Sequence, residues 1–263
     1  MTTGIRAVLV DIDGFLTEGV GGRAYPGGPE AIAQIAARFP LRYLTNATSR
    51  SRRALALALV REGYPASPEV VITPSALARQ VMEQRGDARG VLIADPGAME
   101  DLSWFEPESD PRSARAVLLA SESHGRRIGD LGPAVAALRA GARLYTLQQN
   151  RVFRRGADLV TDLGPVAAFL GYAADVSWTT FGKPSPLAFQ AAAEGLGVPL
   201  TALVMAGDDA EFDVAGALRA GVGVGVLART GKYAAGDEDR VSPRPSHVIA
   251  SVADLPALLG IGG

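Results

Sequence analysis

Ala7-Val8-Leu9-Val10-Asp11-Ile12-Asp13-Gly14-Phe15-Leu16-Thr17 is the stretch that decides the fold. Its apolar run, Ala7 to Val10, stops abruptly at two aspartates one residue apart, followed by a glycine. A short apolar run closed by a turn signal reads as a buried strand of a parallel sheet. In open α/β sheets the reacting groups gather just past the carboxyl ends of such strands. Because side chains alternate along a strand, two carboxylates two positions apart can lean the same way. One could then attack or bind metal while the other handles protons. The same letters also spell an Asx turn with Gly14 supplying an unusual backbone angle, so the pair alone leaves both readings open.

The pattern repeats outward from this stretch. Thr17 to Gly28 is rich in glycine (Gly19, Gly21, Gly22, Gly27, Gly28) and reads as a flap or turn. A helix from Pro29 carries Ile32, Ile35, Ala36 and Phe39 at helical spacing. Leu41 to Leu44 is a second strand ending at Thr45-Asn46. Thr48 or Ser49 then caps a helix with Leu55, Leu59 and Val60, which Gly63 terminates before the third strand, Val70 to Ile72. Near its far end the chain offers a strand at Leu203 to Ala206 running into Gly207-Asp208-Asp209, a helix with Asp213 at its start, and a strand at Gly223 to Leu227. These are β-α units, whose strand-end loops share one edge of the sheet.

Between about Pro74 and Val176 the α/β pattern continues without comparable groups. Strands are expected at Gly90 to Ala94, Ala116 to Ala120 and Arg143 to Leu147, with helices around Leu77, from Asp130 to Arg139 and from Gly164 to Tyr172. The expected organisation is a doubly wound, Rossmann-like parallel-sheet core at 1–74 and 177–263 with an inserted α/β cap at 75–176. Trp178 to Phe181 is expected to re-enter the main sheet, ahead of Gly182-Lys183-Pro184. At 263 residues a second domain is expected on size alone.

Composition narrows the function classes. A formal net charge of −2 gives no electrostatic case for nucleic acid or an anionic membrane surface. With no cysteine, disulfides, thiolate nucleophiles and cysteine-ligated zinc are excluded. No run approaches the roughly 18 apolar residues of a membrane span. Met1 to Arg6 leads into the first strand without an apolar signal region, so a cytoplasmic protein is expected.

Four loops therefore carry Asp11 and Asp13, then Thr45 and Asn46, then Lys183, then Asp208, Asp209 and Asp213. Several carboxylates without histidine or cysteine suit a hard, oxygen-binding cation such as Mg²⁺. A lysine and a hydroxyl facing that ion suit a many-oxygened anion, and phosphoryl transfer needs mainly positioning and charge neutralisation. An aspartate can itself be the nucleophile, forming an aspartyl-phosphate that water opens.

The ordered set Asp-x-Asp-Gly, Thr-Asn, Gly-Lys-Pro and Gly-Asp-Asp-x-x-x-Asp resembles the four motifs of the haloacid dehalogenase (HAD) superfamily. The closest likeness is to the phosphatases with a IIA-type cap. Gly207 to Tyr233, which includes Thr230-Gly231-Lys232, is similar to the branch containing phospholysine/phosphohistidine/pyrophosphate phosphatases. The resemblance implies a Mg²⁺-dependent phosphatase acting on a small phosphorylated metabolite, with a homodimer through the cap. It further implies that Asp11 is the nucleophile and a metal ligand. Asp13 would be the acid and base, with its carbonyl on the metal. Thr45, with the N–H groups after it from Asn46 on, would bind phosphate, and Lys183 would neutralise charge. Asp208 would be a metal ligand, with Asp209 and Asp213 behind it. Phe15 departs from the threonine or valine frequent in the family, at a position that acts through its backbone.

Each group has a plainer competitor. Thr45-Asn46 could cap a helix, Lys183 could be a solvated loop lysine, and Asp208-Asp209 could be a capping turn. For all of these to hold together, in order, at consecutive strand ends is improbable. A non-catalytic phospho-ligand binder or scaffold of the same fold is the alternative function, and the full set of side chains argues against it. Gly221 to Gly225 lies between helix and strand, the wrong order for a dinucleotide fingerprint, and Gly231-Lys232 lacks P-loop spacing. His124 and His247 fall outside the motifs, and Asp95-Pro96-Gly97 reads as a turn. Arg151, Arg154 and Arg155 could read an anionic substrate tail, although a solvated basic loop is favoured. Arg50, Arg52 and Arg53 read as a helix surface.

Overall fold

The structure, a computed structural model, describes residues 4–19, 21–121, 127–155 and 158–261, without the side chains of 153–155, 158 and 159. In chain order the strands are β1 (Ala7–Val10), β2 (Leu41–Leu44), β3 (Val71–Ile72), β4 (Arg89–Ile93), β5 (Glu106–Pro107), β6 (Ala116–Leu119) and β7 (Arg143–Thr146). They continue as β8 (Val152–Arg155), β9 (Asp158–Thr161), β10 (Trp178–Thr180), β11 (Leu203–Gly207), β12 (Val224–Ala228) and β13 (His247–Ile249). The chain divides into two compact units: 1–45, 52–72 and 183–263 form the first, and 46–51 with 73–182 the second.

The first unit is built on a six-stranded sheet in the order β13-β12-β11-β1-β2-β3. Every neighbouring pair is parallel, from Ala7 opposite Leu203 to Leu227 opposite Val248. All of β1 and β11 is buried, as an interior parallel strand covered on both faces requires. Helices Gly28–Ala36, Arg52–Arg61 and Pro186–Leu196 turn buried apolar faces inward, with Ile32, Ile35, Leu55, Leu59, Ala188 and Phe189 at helical spacing. Each of these leucine, isoleucine and phenylalanine side chains contributes about 1.5–3 kcal/mol through burial. Ala36, expected on the inner face of the first helix, is exposed. The glycine-rich segment folds back on itself, with Thr17 bridged to Ala24 and the Glu18 N–H donating to the Arg23 carbonyl at 3.0 Å.

The second unit has a five-stranded sheet, β10-β7-β6-β4-β5, again parallel throughout. It packs on Leu131, Leu138, Leu163 and Leu170 of the flanking helices. Here the expectation for Trp178 to Phe181 fails. Trp178–Thr180 pairs with β7, Trp178 opposite Leu144, and never joins the main sheet. The helix Leu163–Ala174 carries the chain from β7 back beside it, the usual crossover joining sequential parallel strands. Residues 151–155, read as a basic loop, instead run into an antiparallel hairpin of β8 and β9, Val152 opposite Thr161. The helix after β2 starts at Arg52 and not at Thr48 or Ser49, which leaves Arg50 outside it. Asp95 precedes a 3₁₀ helix, Pro96–Leu102. Among the described residues no helix is long and apolar enough to cross a membrane.

Candidate active site

Asp11 sits where β1 ends, almost fully buried at 6% exposure. Its Oδ1 accepts from Lys183 Nζ at 2.5 Å, and the same ammonium lies 2.7 Å from Asp213 Oδ1. Lys183 is itself buried, on the segment leading into Pro186–Leu196. Burial alone would favour the neutral amine. The charges of Asp11 and Asp213 outweigh it and hold the ammonium above the ordinary lysine pKa.

Asp208 follows β11 and is 1% exposed. Its Oδ2 accepts the backbone N–H of Lys232 at 2.7 Å, while Oδ1 is buried with no hydrogen-bond partner. Burial, reinforced by the neighbouring charges of Asp11 and Asp213, pushes its carboxyl up to about 9. Asp213 is raised as well, by burial and then by Asp11, against the opposing pull of Lys183. It is carried on a π-helical turn, Ala210–Ala215, and its Oδ2 accepts the Asp209 N–H at 3.1 Å. Such π-turns are rare and fall frequently at functional sites.

Asp11, Asp208 and Asp213 thus offer carboxylate oxygens all within 4.8 Å of one another. Like charges this close and this buried repel unless a cation or protons join them. With oxygen-only donors and a partnerless Asp208 Oδ1, the cluster suits a hard divalent cation.

The remaining expected residues divide. Asp13 and Thr45 stand at the same carboxyl edge, after the adjacent parallel strands β1 and β2. Asp13 is half-buried, in a turn closed by the Gly14 N–H on the Thr17 carbonyl at 2.8 Å, and its side chain is outside the three-carboxylate cluster. Thr45 is buried, and its N–H donates to the Ile72 carbonyl at 3.2 Å. Asn46 belongs to the second unit, where its Nδ2 donates to Asn150 Oδ1 at 3.3 Å. Asp209 caps the turn that follows it, accepting from the Glu211 and Phe212 N–H groups at 3.1 and 2.9 Å. Its other oxygen meets Lys232 Nζ at 3.2 Å.

Lys232 is the residue that sequence reasoning passed over. Its signal was available, since Thr230-Gly231-Lys232 follows β12 at the edge where the other motifs lie. Burial opposes its charge, and Asp209, Asp213, Asp11 and Asp208 together raise it. Arg151 and His247 are exposed; His124 and the side chains of Arg154 and Arg155 lie outside the described residues.

Residues 8–105 match the model of a haloacid dehalogenase-like hydrolase and residues 180–255 that of a HAD-hydrolase-like family. The chain is 35% identical over 242 residues to haloacid dehalogenase-like hydrolase domain-containing protein 2 of Bos taurus, covering 92% of this chain and 90% of that one. It is 31% identical to the phospholysine phosphohistidine inorganic pyrophosphate phosphatase of the same species, with 97% and 94% covered. Among solved structures, a glycerol phosphate phosphatase from Mycobacterium tuberculosis in complex with calcium shares the fold, with a TM-score of 0.83 at 23% identity over 95% of this chain and 74% of that one. A parallel sheet whose strands end in Asp11 and Asp208, with a buried lysine on Asp11, in a sequence this similar over nearly its whole length, leaves one assignment: the chain belongs to the haloacid dehalogenase-like hydrolases.

Proposed function

We propose that this hydrolase is a Mg²⁺-dependent phosphatase that cleaves a small phosphate monoester, phosphoramidate or pyrophosphate through an aspartyl-phosphate on Asp11. The observation that carries the reading is the buried Lys183 ammonium, held between Asp11 and Asp213 beside an oxygen-only carboxylate cluster. That one relative is named for phospholysine, phosphohistidine and pyrophosphate supports the class of bond.

In this reading Asp11 attacks phosphorus while its bond to the leaving oxygen or nitrogen breaks, and Asp13 supplies the proton the leaving group needs. Asp13 then takes a proton from water as that water attacks the phosphorus of the acyl phosphate, which releases phosphate and restores Asp11. Lys183 offsets charge on the nucleophile and on the transferring group, and Thr45 and the N–H groups that follow it bind its oxygens. Asp11, Asp208 and the Asp13 carbonyl would hold Mg²⁺, with Asp213 at hand and Asp209 braced behind. Bound there, Mg²⁺ supplies positive charge to the phosphate oxygens.

Metal removal is the direct test. EDTA should abolish hydrolysis of p-nitrophenyl phosphate and Mg²⁺ restore it, whereas full activity in metal-free buffer would overturn the reading. The affinity should also depend on pH in a definite direction. Because Asp208 is raised to about 9, the metal-free site holds a proton at neutrality that the cation must expel. The Mg²⁺ dissociation constant should therefore fall as pH rises towards about 9, by roughly tenfold per pH unit for each proton displaced. Calorimetry in buffers of different ionisation enthalpy counts those protons, and a pH-independent constant would contradict the assignment.

Substrate choice needs residues beyond those named above, which act on the phosphate and the metal and not on the leaving group. Arg151→Ala should alter the ranking of kcat/KM across a panel of sugar phosphates, nucleotides and pyrophosphate, most for substrates with a second anionic group. An unchanged ranking with unchanged rates would remove Arg151 from substrate recognition.

A further inference from the structure

Asp208 has two oxygens in different situations, and the difference comes from the loop after β12. Gly231 has a left-handed backbone, φ +55°, which turns the chain so that the next N–H, that of Lys232, meets Asp208 Oδ2 at 2.7 Å. Gly14, also left-handed at φ +95°, lies against the same oxygen of the carboxylate. A Cβ on either glycine would collide with the Asp208 carboxylate, and one on Gly231 would also press on Gly14 Cα. The turn is anchored in turn by the glycine-rich segment, where Tyr25 Oη accepts the Gly231 N–H at 3.3 Å. Oδ1, in contrast, is buried and has no donor.

We propose that Gly231 and Lys232 are positioning residues for Asp208: their turn saturates Oδ2 through the Lys232 backbone N–H and so presents Oδ1 to the cation. The inference rests on the reading of Asp208 as a metal ligand. A carboxylate without this restraint could rotate about its last bond, since that torsion is soft, and would lose the fixed presentation that a metal site needs. The ammonium of Lys232 plays a separate part. It is half-exposed, tied to Asp209, and as a cation it repels an incoming Mg²⁺. The positioning therefore resides in the backbone of the turn and not in the lysine side chain.

That separation makes the proposal testable by MgCl₂ titration calorimetry without substrate, alongside thermal unfolding and the Mg²⁺ dependence of kcat. Gly231→Ala should weaken Mg²⁺ binding at least about tenfold, within the range seen when groups that orient a metal ligand are removed. Its half-activating Mg²⁺ concentration should shift equally, with kcat at saturating Mg²⁺ largely retained. Lys232→Met, which keeps the N–H, should bind Mg²⁺ at least as tightly as the wild type. Mg²⁺ affinity unchanged in Gly231→Ala, or lost in Lys232→Met, would overturn the proposal. Should Gly231→Ala fail to fold, Tyr25→Phe decides the matter, because it removes only the hydroxyl that anchors the turn. Weakened binding at unchanged thermal stability supports the proposal, and wild-type binding overturns it. Asp208→Asn reports on the underlying reading: if it binds Mg²⁺ normally, the metal assignment itself fails, whatever Gly231→Ala does.

Discussion

Replacing Asp11 by asparagine is expected to lower kcat by at least about 10⁴-fold, a barrier increase of about 5.4 kcal/mol at 1.36 kcal/mol per tenfold. The amide is nearly isosteric with the carboxylate, so the fold has little to lose, but its nitrogen and neutral oxygen cannot attack phosphorus. Its carbonyl oxygen can still accept from Lys183, which at present donates to Asp11 Oδ1. The variant should therefore unfold near the wild-type temperature. Steady-state kinetics with p-nitrophenyl phosphate check the rate, and thermal melts check the fold. A kcat within about tenfold of wild type would leave only about 1.4 kcal/mol for the nucleophile, too little for a covalent mechanism.

Lys183→Met should act on stability as well as on rate. The lysine is the partner of two buried carboxylates, and removing one member of such a group leaves uncompensated charge, at a cost of about 3–5 kcal/mol. At about 2–4 °C per kcal/mol for a protein near this size, Tm should fall by roughly 6–20 °C. The pH dependence follows from the directions of the shifts. A lysine held above its ordinary pKa contributes stability that is fully present below about 10.4 and lost only in strong alkali. The deficit of the variant should therefore persist across neutral pH. It should shrink on acidification, as Asp213 takes up a proton and no longer needs a partner. Thermal melts from acid to alkaline pH measure this, and a Tm within about 2 °C of wild type at pH 7 would show that the ion cluster is not a net restraint on the fold.

How much of this was legible in the sequence depends on where the deciding information lies. The first strand and Asp11 were readable because a strand buried on both faces must be apolar throughout, so its end is marked by the first charge. The same logic found Asp208 after β11. Trp178–Thr180 was misassigned because its composition says strand but not which sheet; the choice was made by the crossover from β7, a tertiary fact. The hairpin β8–β9 was hidden because arginine carries little strand signal of its own, and the pairing of 152–155 with 158–161 is a tertiary fact. Asp213 was placed behind the metal ligands by the family resemblance, and no residue pattern in the sequence spells the turn that carries it. That π-helical turn carries its carboxylate to within 4.8 Å of those of Asp11 and Asp208. Lys232 was missed for a different reason: its decisive contact is made by a backbone N–H, which every residue but proline carries and no motif spells.

The central claim is that phosphate passes through Asp11 and not directly to water. The most direct measurement is the stereochemical course at phosphorus, followed with a substrate whose transferring phosphoryl group is made chiral by oxygen isotopes and sulfur. Attack by Asp11 and then by water comprises two in-line displacements, each inverting the centre, so the account predicts net retention of configuration. Net inversion would mean a single displacement by water and would contradict it.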